Sequence, residues 1–88
     1  MKKKLELANG FKCTIDDGFL DDIEFAELLA DAEEKPYLIG KIVESVFGEE
    51  QKAKLYEFLK AKGGRAKITD VNDIIEEVFN KLGEEPKN

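Results

Sequence analysis

Four aspartates, Asp16, Asp17, Asp21 and Asp22, are the residues whose type and spacing come closest to a chemical site, because clustered carboxylates bind calcium. The EF-hand loop requires alternating ligands, a central glycine and a final glutamate, and this segment has a different spacing. The two pairs flank Gly18, which is typical of a turn followed by a helix cap. We therefore predict turn and capping roles for these aspartates and no metal site.

Nucleophilic catalysis has few candidate residues in this chain, which contains no histidine and a single cysteine, Cys13. These counts exclude Ser-His-Asp and Cys-His catalysis, His-ligated zinc and an internal disulfide. Cys13 falls on the apolar side of a predicted strand, with no helix N-terminus beside it to lower the pKa of its thiol. Gly63-Gly64-Arg65 lacks the Gly-Lys-Ser/Thr ending of a phosphate loop and predicts a helix stop instead. The sequence thus predicts no enzyme, no catalytic residue and no cofactor.

Large apolar side chains near the edges of their helical stripes are the remaining candidates for function. Such residues mark a protein interface when they cluster on the surface, and otherwise they complete the rim of a core. Both alternatives stay open at the level of the sequence. The candidate partner-binding residues are Phe25, Leu28, Tyr37, Tyr56 and Phe58.

Composition and charge narrow the classes of partner. The 88 residues suit one small domain, and 42% apolar with 39% charged residues is typical of a globular chain. The net charge of −6 argues against nucleic acid as a partner, because phosphate binding needs a coherent basic surface. No apolar run approaches the about 20 residues of a membrane span, so we predict no membrane partner. A lone cysteine fits a reducing cytoplasm.

The negative charge is concentrated in one segment. Residues 16–34 carry nine acidic and no basic side chains, whereas residues 35–67 carry eight basic and four acidic ones. Three interpretations of the acidic segment are open: a solvated helix face, internal ion pairing with residues 35–67, or a surface that meets a basic protein.

The strand-like segments on either side of Asn9-Gly10 predict an antiparallel β-hairpin over residues 3–15. A two-residue loop would divide the apolar side chains of the two strands between opposite faces. A three-residue loop, Ala8 to Gly10, pairs Leu5 with Cys13 and gathers the apolar side chains on one face. It also places glycine where a positive φ is needed. We therefore predict the three-residue loop. An isolated hairpin is marginally stable, so we expect either a helix on its apolar face or a partner's strand on its edge.

Apolar side chains recurring with a 3.6-residue period predict about four helices after the hairpin. The predicted ranges are residues 21–32, 36–47, 49–62 and 69–82. Pro36 is placed to begin the second helix, Gly48 to end it, and Thr69 to cap the fourth. The predicted fold class is α+β, mainly α: an N-terminal antiparallel β-hairpin followed by a compact bundle of about four helices. The expected organisation is a single domain over residues 1–83 with a flexible tail at 84–88.

The first predicted helix is unusual because apolar side chains occur on two of its sides. We expect Asp21 to cap it, and Leu20 to pack against Phe25 at its start. The two apolar sets are Ile23, Ala26 and Ala30 on one side, and Phe25, Leu28, Leu29 and Ala32 on the other. We predict that both sides are packed, one by the hairpin and one by the bundle. The alternative is that one side is kept for a partner.

Three segments in this order carry a resemblance to a known family. They are "LELANGFKCTID", "LDDIEFAELLADAEE" and "VFGEEQKAKLYEFLKAKGGRAKITDVNDIIEEVFNKL". The first is a short hairpin leading into an acidic turn, the second an acidic helix with a Leu-Leu pair, and the third two helices separated by a Gly-Arg break. Together they resemble the small tail assembly chaperones of long-tailed phages (siphoviruses) and prophages of Gram-positive bacteria.

The resemblance implies a non-enzymatic role in the cytoplasm of the bacterial host. Proteins of this family bind the phage tape measure protein and keep it soluble while tail tube subunits polymerise around it, so the tail tube protein is a further candidate partner. The family supplies no catalytic residue and no binding motif that could be carried over. Formation of a homo-oligomer would present several binding surfaces at once. The alternative function is a small acidic regulatory or inhibitor protein that binds a basic protein surface.

Overall fold

The computed structural model describes residues 2–83, which form a β-hairpin followed by three α-helices. The elements are β1 (Lys2–Glu6), β2 (Lys12–Asp16), α1 (Ile23–Glu34), α2 (Ile39–Gly63) and α3 (Ile68–Gly83). Short 3-10 helices, Asp17–Asp21 and Pro36–Leu38, precede α1 and α2. The mainly helical fold with an N-terminal antiparallel hairpin is therefore confirmed. The predicted tail at residues 84–88 lies outside the described residues.

The hairpin has the register predicted from its turn. Leu5 pairs with Cys13 across the two strands. The backbone N–H of Leu7 donates to the carbonyl oxygen of Phe11 at 2.8 Å, which leaves a three-residue loop between them. Gly10 ends this loop with a φ of 95°, a conformation that disfavours any residue with a side chain. These two observations confirm the three-residue loop. The resulting register places the apolar residues on one face of the hairpin.

The number of helices differs from the prediction. Apart from Pro36–Leu38, the residues expected to form the second and third of four helices belong to one element, α2. Gly48 nevertheless departs from helical geometry, with φ 82° and ψ 161°, so α2 is kinked at the residue predicted to end the second helix. Helical structure resumes at Glu49 without an intervening loop, which is why the two segments form one bent helix. Pro36 begins the 3-10 helix before α2 and not the first turn of an α-helix.

A single hydrophobic core joins the apolar face of the hairpin to α2 and α3. Its fully buried members include Ile15 from β2, Val43 and Leu55 from the two halves of α2, and Val78 from α3. The buried residues of α3 are Val71, Ile74, Ile75, Val78 and Leu82, which confirms the predicted apolar stripe of the last helix. This helix begins at Ile68, so Thr69 lies inside its first turn and the predicted cap is wrong.

The N-cap of α1 lies one residue later than the predicted Asp21, and the helix itself begins at Ile23. Asp22 is the N-cap, because its side-chain oxygen accepts from the backbone N–H of Glu24 at 2.9 Å. The predicted packing of Leu20 on Phe25 is wrong, since Leu20 is 58% exposed. The Phe19 ring takes that place, with its centroid 4.9 Å from that of Phe25. The 3-10 helix turns Phe19 inward and Leu20 outward.

The expectation that α1 is packed on both sides is wrong. The side with Phe25, Leu28 and Leu29 faces the core, but Ile23 on the opposite side is 72% exposed. Ala26 and Ala30 on that side are exposed as well. The physical reason is that α2, and not α1, covers the apolar face of the hairpin. The second apolar side of α1 is thus left on the surface.

Candidate functional site

The aspartates before α1 have local structural roles. A side-chain oxygen of Asp16 accepts from the backbone N–H of Gly18 at 3.0 Å, and this hydrogen bond holds the pKa of Asp16 below its ordinary value. Asp22 caps α1, and Asp17 lies 3.9 Å from the ammonium of Lys3. The predicted turn role is therefore confirmed for Asp16, whereas the capping role predicted for Asp21 belongs to Asp22. Within residues 2–83, no group of His, Cys, Asp or Glu side chains is arranged to hold a metal ion.

Cys13 lies on the buried face of β2 and is 6% exposed. Burial, with a smaller contribution from the negative charge of Glu77, raises the pKa of its thiol to about 11. The thiol is therefore protonated at neutral pH, and the thiolate is the reactive form of cysteine. This arrangement suits a core side chain and not a nucleophile.

An open groove lies between the hairpin loop, the end of α2 and α3. Its volume is about 350 Å³, and it is lined in part by Ala8, Leu59 and Ile74. Three carboxylates also line it, those of Asp70, Asp73 and Glu77. Glu77 already accepts the backbone N–H of Ala8 at 2.7 Å, so its carboxylate holds the loop in place and is not free for a ligand.

Three of the five candidate partner-binding residues lie in α1 or in the 3-10 helix before α2, and they differ in exposure. Phe25 is 6% exposed and belongs to an aromatic cluster with Phe19 and Phe79, so its ring is not available to a partner. Leu28 is half-buried against the core. Tyr37, in the 3-10 helix before α2, is 72% exposed. Of these three candidates, only Tyr37 presents most of its surface to solvent.

Tyr56 and Phe58 are half-buried on the second half of α2, and each has a lysine beside its ring. The Phe58 ring packs edge-on against Phe11 at 5.4 Å between centroids, and the Lys62 ammonium lies 5.1 Å from the Phe58 centroid. The Lys52 ammonium lies 5.8 Å from the Tyr56 centroid. Cation–π contacts of this kind stabilise a rim.

Sequence reasoning missed three exposed apolar side chains as candidates: Leu20, Ile23 and Ile68. Ile23 was recognisable, because it belongs to the second apolar side of the first predicted helix. We give the name α1 ridge to the set Ile23, Ala26 and Ala30. These residues follow the spacing i, i+3, i+7 and so lie in one line along the exposed side of α1.

A line of carboxylates runs beside the α1 ridge. We give the name acidic stripe to Glu24, Glu27, Asp31 and Glu34, which follow the spacing i, i+3, i+7, i+10. All four residues are exposed. Within residues 2–83, no lysine or arginine lies at ion-pair distance from their carboxylates. An exposed apolar line flanked by negative charge is the feature of this molecule best suited to binding another polypeptide.

Between residues 2 and 83, no helix combines the length and the apolar character that crossing a membrane requires. Comparisons of the chain with protein-family models, with curated proteins and with solved structures gave no match.

Proposed function

We propose that this protein is a tail assembly chaperone of a long-tailed phage or prophage, which binds the tape measure protein and keeps it soluble during assembly of the tail tube. The role is non-catalytic and belongs to the cytoplasm of the bacterial host. The observation that supports it best is the exposure of Ile23 and Tyr37, each 72% accessible, on a chain with a net charge of −6.

This combination fits the physical task of holding another protein in solution. Apolar side chains on the surface supply attraction to the apolar segments of a client. The high content of charged residues, 39%, keeps the complex soluble. A chaperone must also release its client, and a surface of a few apolar side chains forms a contact small enough to be reversible.

Further partners belong to the same proposal. The tail tube protein is a candidate, since it polymerises around the tape measure protein. A homo-oligomer would place several weak surfaces on one particle and raise the avidity for a long client.

The acidic stripe favours a second candidate function, that of a small regulatory or inhibitor protein that occupies a basic protein surface. Its four carboxylates have no basic neighbour at ion-pair distance among residues 2–83. Binding of this kind weakens steeply as salt is added, because exposed charges are screened. Chaperone binding through apolar side chains depends much less on salt.

The test is co-expression with the tape measure protein encoded in the same phage or prophage. We expect the tape measure protein to move from the pellet to the supernatant and to co-purify with this chain. A tape measure protein that remains in the pellet at equal expression would overturn the proposal. Ile23→Asp should abolish the effect, whereas Glu57→Gln on the exposed side of α2 serves as a control that leaves it unchanged. A map of the neighbouring genes gives an independent check, since the gene should lie beside that of the tape measure protein.

A further inference from the structure

The exposed side of α1 has a definite pattern, with an apolar line and a charged line running in parallel. The α1 ridge and the acidic stripe are offset by one residue at every step, because each repeats at three- and four-residue intervals. Within α1, only Glu33 adds a carboxylate on the other flank of the α1 ridge. The negative charge therefore lies mainly along one side of the apolar line.

The shape of the α1 ridge fits a helix better than a strand. All backbone hydrogen bonds of α1 run along its own axis, so it offers no free edge to an extended peptide. Two of the three ridge residues are alanines, and small side chains let the backbone of a second helix approach closely. Ile23 stands at one end as the single large apolar contact, with 72% of its surface exposed.

The charge of the surface restricts which helix can dock. Nine acidic and no basic residues occupy positions 16–34. An acidic helix would be repelled, and a purely apolar one would leave the carboxylates without partners at the edge of the contact. A helix with lysine or arginine along one flank would neutralise the acidic stripe while its small apolar residues cover the α1 ridge.

We propose that the exposed side of α1 is the docking surface for an amphipathic helix of another protein, with an apolar line flanked by lysines or arginines. This inference rests on the proposed function only in requiring that the chain acts by binding a polypeptide. The 12 residues of α1 span about 18 Å, so the contact covers about three turns of the partner helix. Such a short contact gives a weak and reversible complex.

The first experiment uses two designed peptides of about 15 residues, the length at which isolated helices become marginally stable. Both carry the same alanine and leucine line, one flanked by lysines and the other by glutamates. Fluorescence anisotropy with the purified chain should show at least roughly tenfold tighter binding of the lysine peptide at low salt. Equal binding of the two peptides would overturn the inference.

The second experiment uses variants of the chain. Ala26→Tyr together with Ala30→Tyr blocks close approach, and Glu27→Gln together with Asp31→Asn removes half of the acidic stripe. Each pair should weaken binding of the lysine peptide at least roughly tenfold. Ala61→Tyr, at an exposed position of α2, is the matched control and should bind as the unchanged chain does. If both pairs bind as the control does, the surface lies elsewhere.

Folding and self-association are measured on the same samples. Far-ultraviolet circular dichroism checks that each variant keeps its helical structure. If the tyrosine pair unfolds, the Glu27/Asp31 pair still tests the inference, because it replaces no apolar side chain. Analytical ultracentrifugation of the unchanged chain shows whether it forms a dimer. A dimer that Ala30→Tyr converts to monomer would show that a second copy covers the ridge and would overturn the inference.

The co-expression assay separates this inference from the proposed function. If the tape measure protein stays soluble with the unchanged chain and equally with the tyrosine pair, the function stands and the docking surface is wrong. If the lysine peptide binds the ridge but the tape measure protein remains in the pellet, the docking surface stands and the function is wrong.

Discussion

The side-chain amide of Gln51 forms hydrogen bonds with both backbone groups of Thr14. Its Oε1 accepts from the N–H of Thr14 at 2.8 Å, and its Nε2 donates to the carbonyl oxygen of Thr14 at 2.6 Å. The Nε2 also donates to the carbonyl oxygen of Phe47 at 2.8 Å. One side chain on α2 therefore pairs with the outer edge of β2 as a neighbouring strand would. It attaches the hairpin to α2 directly after the kink at Gly48.

Replacing Gln51 tests this attachment. Gln51→Ala should lower the free energy of unfolding by about 1 to 2 kcal/mol, because the side chain's hydrogen bonds to both backbone groups of Thr14 and to the carbonyl of Phe47 are lost. Gln51→Glu should be destabilising at pH 7, since a carboxylate faces two carbonyl oxygens, and should recover near pH 4 when the protonated acid can donate. Urea unfolding at both pH values measures the effect. A Gln51→Glu protein as stable as the unchanged chain at pH 7 would contradict it.

Gly48 should be intolerant of a side chain because of its backbone and not its surroundings. Its φ of 82° and ψ of 161° fall in a region populated almost only by glycine, although a Cβ atom added here would meet nothing within 4 Å beyond its chain neighbours. We expect Gly48→Ala to cost about 1 to 3 kcal/mol. Gly63→Ala is the matched control, since Gly63 has no positive φ and equally open space, and it should be neutral or stabilising by up to about 1 kcal/mol. Thermal unfolding compares the two.

Leu55 and Leu20 provide a test of the core boundary with the same substitution. Leu55 is 0% exposed and Leu20 is 58% exposed. Leu55→Ala should lower the free energy of unfolding by about 2 to 5 kcal/mol through lost burial and a cavity. Leu20→Ala should change it by less than about 0.5 kcal/mol. Similar urea midpoints for the two variants would contradict the outward direction of Leu20 in the 3-10 helix before α1.

The thiol of Cys13 should make stability depend on pH above neutrality. Its pKa is about 11 in the folded chain against an ordinary value of 9.0, so the folded state holds this proton more tightly. The resulting stabilisation is complete below pH 9 and is lost as the pH rises towards 11. In the Cys13→Ala protein, the free energy of unfolding measured with urea should fall less between pH 9 and pH 11. The difference between the two proteins separates the contribution of the thiol from the titration of lysines and tyrosines.

Chemical labelling gives a second measurement on the same residue. At pH 8, a thiol reagent should react with folded Cys13 at least roughly tenfold more slowly than with the chain unfolded in urea, because less thiolate is present. Equal rates would mean that the thiol is not buried.

The hairpin could be predicted from the sequence because its determinants are local. The position of glycine in the loop and the alternation of apolar side chains agree on one register, and the pairing of Leu5 with Cys13 follows. The last helix was predictable for the same reason, since Val71 to Leu82 repeat with the helical period. No long-range information is needed for either element.

The packing of α1 depends on the rest of the fold and could not be derived in this way. The sequence identifies two apolar sides of this helix, but which side meets the core is decided by the position of the hairpin. The hairpin lies on α2, with Gln51 as its attachment, and this leaves Ile23 exposed. Nothing near Ile23 in the sequence signals that outcome.

The aromatic residues show the same limit. Phe25 and Tyr37 both occur near the edges of apolar stripes, yet one is buried and the other is 72% exposed. Phe19 belongs to no periodic stripe in the sequence, but the 3-10 helix directs its ring into a cluster with Phe25 and Phe79. Short 3-10 helices have no strong sequence signature, so the direction of each side chain in them is set by tertiary packing.

The small number of buried side chains in α1 has a consequence for local unfolding of the molecule. Phe25 is the only fully enclosed side chain of this helix, whereas α2 and α3 each contribute several. Elements with few enclosed side chains exchange their amide protons first, through excursions that cost less than global unfolding. Backbone amides of α1 should therefore exchange with deuterium sooner than those of α3. A ligand that binds α1 would slow the exchange of the α1 amides selectively.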